Sequence, residues 1–415
     1  MKKVVKKNIL FLLVLLFIFE VMFVPARVFA QTGDVSIAST AAILVEKSTG
    51  RILYEKRSTE QFYPASVTKI MTAILVIENS SLDDIVTVSG SSVENIPSGY
   101  VTIDLRDGEE ITIRDLLYAL MLPSANDAAF VLADHIGGSV ENFSAMMNEK
   151  AAELGCKNTN FVNPNGIHNE SHYSTAYDLY LIANYAMKNP IFKEIVKTKE
   201  YTLAPTNIHP ETDRVIKNTN ELLFEDNSNY YPYADGIKTG TTTQAGKCIV
   251  SQSSRDGLDF IAVVLGGQGV NSNRFQDATK LFNYGYDNYT LTKIIEKNSV
   301  IDTVEVKKAT KETKMLDVAI DNSITVMNHK SLDINQIIPE VKIDEELIAP
   351  IAKGQKIGSI KYKVDDIEYS ANLIAANDVL KRNYYEIYIT VGLALLLASF
   401  IISRRTHKSK RSRRR

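Results

Sequence analysis

The chain has 415 residues, 45% of them hydrophobic and 23% charged, which excludes a disordered tail or a multi-span membrane protein and leaves room for two domains. Its formal net charge of -2 conceals a segregation: residues 1–30 carry five basic side chains against Glu20, residues 403–415 carry eight Lys or Arg and no acid, and residues 31–402 hold 34 basic against 48 acidic groups, a net of -14. A body this acidic repels phosphate, which excludes nucleic acid as a partner.

Four lysines, an apolar run from Ile9 to Val24 and the small-residue stretch Val28-Phe29-Ala30 have the three regions of a secretory signal over residues 1–30, with an uncleaved anchor as the alternative. Ala41 to Glu46, a turn at Ser48-Thr49-Gly50 and Arg51 to Glu55 predict a β-hairpin. Helical periodicity then covers Ser66–Ile77, Ile113–Met121, Asp127–Ile136, Val140–Leu154 and Tyr177–Met187. Extended runs return at Ile237–Thr239, Lys247–Ser253 and Leu258–Leu265, before a helix from about Arg274 to Tyr284. Strands at both ends of this region with helices between them predict one sheet closed by its two chain ends, in an α/β or α+β layered domain over residues 31–290. Residues 299–377 alternate in the β manner, at Thr303–Lys307, Ser323–Val326 and Lys356–Val364, and predict a small β-rich domain. Residues 384–402 form a 19-residue apolar stretch with Glu386 near its start, followed by the basic tail 403–415. Its length and cationic flank predict a transmembrane helix with a cytoplasmic tail, a buried core helix being the alternative.

Cys156 and Cys248 are the two cysteines; pairing is open, and the apolar neighbours of Cys248 suit a buried thiol. The histidines show no zinc spacing. Residues 240–248 resemble a phosphate loop, but five residues separate the glycines and Cys248 stands where Ser or Thr is required.

Three motifs carry chemistry. Pro64-Ala65-Ser66-Val67-Thr68-Lys69 opens an apolar helix and sets Ser66 and Lys69 on one face, a hydroxyl beside an amine at a helix start. Ser124-Ala125-Asn126 lies 58 residues on, between two helical patterns, and Lys238-Thr239-Gly240 closes an extended run 114 residues beyond that. Gly240 there permits close approach of a substrate backbone, and Lys238 and Thr239 suit a carboxylate. Singly these read as a helix start, an N-cap turn and a solvated lysine; in this order they form the pattern of penicillin-binding proteins and class A β-lactamases.

Over about Ser39 to Tyr289 the chain resembles the D-alanyl-D-alanine carboxypeptidases, the low-molecular-mass penicillin-binding proteins. The likeness extends to Asn163-Pro164-Asn165-Gly166, His172 to Asp178, Asn218-Thr219-Asn220 and Lys238 to Gly246. The resemblance implies a β-lactamase/transpeptidase-like α/β domain with an antiparallel sheet and helical subdomain, followed by an all-β domain and a C-terminal membrane helix. It implies catalytic roles for Ser66, Lys69 and Ser124 and substrate contacts from Asn126, Lys238, Thr239, Gly240, Thr241 and Arg274, with no metal or cofactor. The implied partners are peptidoglycan stem peptides ending in D-Ala-D-Ala, β-lactams as covalent inhibitors and the membrane. The implied location is a bacterial cell membrane, single-pass, with the catalytic domain outside. A β-lactamase, a transpeptidase or endopeptidase, and an inactive wall-binding scaffold are the rivals. No Glu-x-x-Leu-Asn of the class A type lies between Asn126 and Lys238, which argues against fast deacylation.

Overall fold

The structure is a computed structural model that describes residues 35–412 apart from 95, 269–272 and 344–345. The expected signal segment lies outside the described residues, as do the last three residues of the basic tail. The chain divides into two compact units, with the boundary after Gly285.

In the first unit a five-stranded antiparallel sheet is built from β1 (Ala41–Glu46), β2 (Ile52–Lys56), β3 (Ala234–Thr242), β4 (Gly246–Arg255) and β5 (Leu258–Gly267), in the order β2-β1-β5-β4-β3. The two chain ends of the unit meet as β1 pairs β5, Ala41 opposite Leu265 and Glu46 opposite Phe260. Every residue of β1 is buried, because a strand covered on both faces needs a continuous apolar run. The buried Glu46 carboxylate closes the first hairpin by accepting from the backbone N–H and hydroxyl of both Ser48 and Thr49.

Helices α1 (Lys69–Asn79), α2 (Ile113–Met121), α3 (Asn126–Gly137), α4 (Val140–Glu153), α5 (Ala176–Ala186) and α6 (Pro190–Lys197) lie between β2 and β3 in sequence, and α7 (Arg274–Asn288) follows β5. α1 is buried continuously from Lys69 to Val76, so it is a central helix with no solvent stripe, and its first residue is a lysine inside the core. Thr112, Thr175 and Asn189 cap α2, α5 and α6 by accepting backbone N–H groups, which fixes the helix starts locally. The helix expected to begin at Ser66 instead opens as a 3-10 turn over Ala65–Thr68 before α1. Helix α6 and two short ribbons, Ile85–Thr87 with Glu110–Thr112 and Glu200–Thr202 with Val215–Lys217, have no counterpart in the sequence reading.

The second unit contains a five-stranded sheet ordered Val300–Glu305, Met315–Ile320, Ile367–Ala375, Lys356–Val364 and Glu340–Ile343, and a ribbon of Tyr289–Ile295 with Ile324–His329. Leu316, Val318, Val326, Ile360 and Leu373 form part of its core. A helix then runs over Tyr385–Ser412, with Leu393, Leu396, Phe400 and Ile402 exposed along it. Among the described residues no helix is long and apolar enough to cross a membrane, so the spanning segment expected at residues 384–402 is not seen there. The side chains of Glu386 and Ile387, and those from residue 405 on, lie outside the described residues.

Cys156 and Cys248 are both free. The Cys248 Sγ faces the carbonyls of Ala245 and Tyr63, the Cys156 Sγ faces that of Asp178, and burial raises their thiols to about 11 and about 12, which makes them inert.

Candidate active site

The 3-10 turn places Ser66 one turn ahead of Lys69, and the Lys69 Nζ lies 3.1 Å from the Ser66 Oγ. Its other two partners are carbonyl oxygens, Asn126 Oδ1 at 3.0 Å and the backbone oxygen of Asn165 at 2.9 Å. Lys69 has no exposed surface. Desolvation, reinforced by the nearby positive charge of Lys238, holds its amine well below the ordinary lysine range, and Asp127 opposes this only in part.

Asn126 stands at the first position of α3. Its Oδ1 accepts from Lys69 and its Nδ2 donates to the Val101 carbonyl at 3.0 Å, leaving the second N–H of the amide for a further acceptor. The buried Asp127 beside it accepts backbone N–H bonds from Ile103 and Leu105, fastening residues 101–105 to the start of α3. Ser124 lies in the turn between α2 and α3 with φ of 72°, a left-handed conformation that a serine adopts at some cost. Its Oγ is buried and has no hydrogen-bond partner among the described residues.

Strand β3 passes the nucleophile at Gly240. A Cβ added there would lie 2.8 Å from the Ser66 backbone nitrogen and 3.1 Å from that of Val67, so only glycine lets the strand approach this closely. Lys238 on the same strand is 1% exposed, and its Nζ donates to the Thr239 carbonyl at 3.1 Å. Burial, with the adjacent Arg274 charge, lowers its amine to about 7. The Thr239 hydroxyl shares a 2.7 Å hydrogen bond with that of Thr219.

Arg274, at the start of α7, is half-buried rather than turned into solvent. Its guanidinium donates to the carbonyls of Gly240 (2.6 Å) and Cys248 (3.1 Å) and to the Thr241 hydroxyl (2.7 Å). It braces β3 against β4 and adds positive charge beside Lys238. Lys238 and Arg274 thus place two cationic side chains beside the Ser66–Lys69 pair, an electrostatic setting suited to an anionic ligand.

The sequence motifs gave no role to Asn163–Gly166, but this loop supplies the Asn165 carbonyl to Lys69 and seats Gly166 on the backbone of Ala65. Nor did they give one to Thr219, or to Val101, which lies in a stretch without helical or strand periodicity. Backbone contributions of this kind leave no residue-type signal. His172 is a satisfied structural histidine: Val162 N–H donates to its Nδ1 at 3.1 Å, and its Nε2 lies 2.9 Å from the Thr68 Oγ1. Among the described residues no cluster of His, Cys, Asp and Glu has the makings of a metal site.

Comparison with known proteins finds relatives for both units. The family described as D-alanyl-D-alanine carboxypeptidase matches residues 27–269, and the one described as penicillin-binding protein 5, C-terminal domain, matches residues 289–381. The chain is 33% identical over 359 residues to the D-alanyl-D-alanine carboxypeptidase DacF of Bacillus subtilis, covering 85% of this chain and 88% of that protein. Among solved structures it is similar to penicillin binding protein 5 from Haemophilus influenzae, with a TM-score of 0.64, 28% identity and coverage of 84% of this chain and 99% of that one. It is also similar to the Streptomyces K15 DD-transpeptidase, with a TM-score of 0.57, 38% identity and coverage of 61% and 99%.

Proposed function

The chain belongs to the D-alanyl-D-alanine carboxypeptidase family, and on that premise we propose that it removes the terminal D-alanine from peptidoglycan pentapeptides through an acyl-enzyme on Ser66. The observation that carries this reading is the desolvated Lys69 amine at 3.1 Å from the Ser66 hydroxyl, a nucleophile and base in contact. Neutral Lys69 donates its two N–H groups to Asn126 Oδ1 and the Asn165 carbonyl and turns its lone pair to Ser66.

In this mechanism the Ser66 Oγ attacks the carbonyl between the two D-alanines and its proton passes to Lys69. The developing oxyanion lies between the backbone N–H groups of Ser66 and Thr241, and the approach of Gly240 to the Ser66 nitrogen supports that placement. Lys238 and the Thr239 hydroxyl take the terminal carboxylate, with Arg274 adding its field and holding Thr241. The unpartnered Ser124 hydroxyl relays the proton from Lys69 to the leaving amine, and the free N–H of Asn126 holds the substrate amide. Water then attacks the acyl ester and returns Ser66.

The apolar run of residues 9–24 supports export. The exposed Leu393, Leu396, Phe400 and Ile402 of the helix Tyr385–Ser412, followed by the basic tail, support attachment of the outward-facing enzyme to the cell membrane. Deleting residues 384–415 moves the protein from the membrane to the soluble fraction under this reading; retention at the membrane contradicts it.

The test of activity is D-alanine release from a pentapeptide ending in D-Ala-D-Ala by the full chain in detergent, beside Ser66→Ala. Release by the wild type alone is the expected result. A protein that releases D-alanine but passes the acyl group to an added amine in preference to water is a transpeptidase instead, and one that is acylated by penicillin yet releases no D-alanine contradicts the carboxypeptidase reading.

A further inference from the structure

The hydroxyl of Thr239 carries a single proton, and what it can do for a substrate depends on where that proton points. Thr239 is 7% exposed, and the one partner of its hydroxyl among the described residues is the Thr219 Oγ1 at 2.7 Å. Thr219 lies in neither helix nor strand, yet its place is fixed from both sides. Its neighbours Asn218 and Asn220 are buried. The Asn218 side chain donates to the carbonyls of Val196 and Thr198 and accepts the Asn220 N–H; the Asn220 Oδ1 accepts the Leu222 N–H in the 3-10 turn Glu221–Leu223. Between them the Thr219 N–H donates to the carbonyl of Leu122, two residues ahead of Ser124, while Thr219 itself remains exposed. An exposed threonine is thereby tied by its backbone to the chain entering the Ser124 turn and by its hydroxyl to β3.

We propose that Thr219 is a positioning residue for the substrate carboxylate: its O–H donates to the Thr239 Oγ1, which leaves the Thr239 proton for the carboxylate. The inference rests on the proposed carboxypeptidase reading and adds to it a residue that acts through Thr239. Either hydroxyl can donate across the 2.7 Å contact, but a carboxylate only accepts, so Thr239 must donate to it, and a proton spent on Thr219 is lost to that bond. Thr219 is open to solvent and takes its own partners from water, whereas the nearly buried Thr239 hydroxyl has no second protein partner among the described residues. In the chain from Thr219 O–H to Thr239 O–H to carboxylate each bond polarises the next, and the last is charge-assisted. The contact also fixes the Thr239 side chain about its Cα–Cβ bond, where rotation would exchange hydroxyl for methyl.

The experiment is a double-mutant cycle in the full chain, with Thr219→Val, Thr219→Ser, Thr239→Val and the combined Thr219→Val/Thr239→Val. Each protein is scored by kcat and KM for D-alanine release from a pentapeptide ending in D-Ala-D-Ala, and by the rate at which a fluorescent penicillin, which has a carboxylate of its own, acylates Ser66. Thr219→Val keeps the shape and removes the O–H; it lowers kcat/KM about threefold to tenfold, the worth of one hydrogen bond, and the loss falls on KM. Thr219→Ser returns the wild-type values. In the Thr239→Val background the same Thr219→Val change shifts kcat/KM by less than about twofold. Thr219 is exposed, so its variants keep the wild-type melting temperature and the losses are read on folded protein. An equal loss from Thr219→Val in both backgrounds makes Thr219 a part of the cleft wall and overturns the inference, as does a Thr219→Ser variant no better than Thr219→Val. D-Alanine release with an additive cycle overturns the positioning role and leaves the carboxypeptidase reading standing; a coupled cycle in penicillin acylation, without D-alanine release by the wild type, does the reverse.

Discussion

The amine of Lys69 stands 3.1 Å from the hydroxyl of Ser66 without a carboxylate among its hydrogen-bond partners, and burial with the Arg274 charge lowers the next buried amine, Lys238, to about 7. Two buried lysines therefore have opposite needs in one site: Lys69 acts neutral and Lys238 acts charged.

The first prediction is a bell-shaped pH dependence for acylation of Ser66 by a fluorescent penicillin. Below the lowered pKa of Lys69 the base is protonated, so the rate rises with pH on the acid side. As pH rises through about 7, Lys238 in the free enzyme loses its charge, carboxylate binding weakens and the rate falls. Lys238→Arg keeps its charge over the whole range and moves the alkaline limb upward. Rates from about pH 5 to about pH 10 decide it; a wild-type rate that keeps climbing above neutrality contradicts the assignment.

Gly240→Ala is a second test. The new Cβ would sit 2.8 Å from the Ser66 nitrogen, and neither partner is a flexible side chain, so β3 or the catalytic turn must shift. Because an oxyanion donor misplaced in this way costs about 10² to 10³ in rate, acylation falls by that factor while the protein stays folded. A variant that acylates within severalfold of wild type would show that β3 does not set the oxyanion geometry.

Much of this site is legible in the sequence because its chemistry is carried by side chains in short motifs. Ser66 and Lys69 are three residues apart, and Lys238, Thr239 and Gly240 are consecutive on one strand. The β1 hairpin is legible from its apolar run and its turn. What escapes the sequence is supplied by backbone or by distant partners. Asn165 acts through a carbonyl, and residues 101–105 act by their link to Asn126 and Asp127. The 3-10 turn at Ser66 departs from the helix expected there because Ala65 takes a positive φ of 49°, in a setting made by Gly166 and Gly240. Helix α6 follows α5 after three residues, and its cap Asn189 and first-turn Pro190 lie in too short a window for periodicity to register. By periodicity Arg274 marks only the start of a helix, and its contacts with Gly240 and Thr241 come from the fold, which delivers both to its guanidinium.

A third prediction concerns Gly166. Its φ of +82° is a left-handed conformation, and an added Cβ would fall 1.9 Å from the Ala65 carbonyl oxygen. Strain and overlap together make Gly166→Ala destabilising by about 2 to 4 kcal/mol, read from the midpoint of chemical unfolding. The folded fraction also loses acylation rate, because Ala65 leads directly into Ser66. Stability equal to wild type would show that the loop does not press on the catalytic turn.

The last prediction is acid destabilisation through His172. The ring is 2% exposed; its Nδ1 accepts the Val162 N–H, so its Nε2 carries the proton toward the Thr68 Oγ1. Protonating Nδ1 breaks the first of these bonds and buries a charge, and desolvation accordingly lowers the imidazole from 6.5 to about 4. A folded pKa below the unfolded one gives stability that is complete above 6.5 and lost as pH falls toward about 4. The loss amounts to about 3 kcal/mol at the acid end. Since Thr68 lies between Ser66 and Lys69, the same protonation loosens the catalytic turn. His172→Gln has no titrating group here, so its melting temperature declines less between about pH 7 and about pH 4.5 than that of wild type, although it starts lower. Parallel declines in the two proteins would place the acid sensitivity in other groups and leave His172 a neutral packing residue.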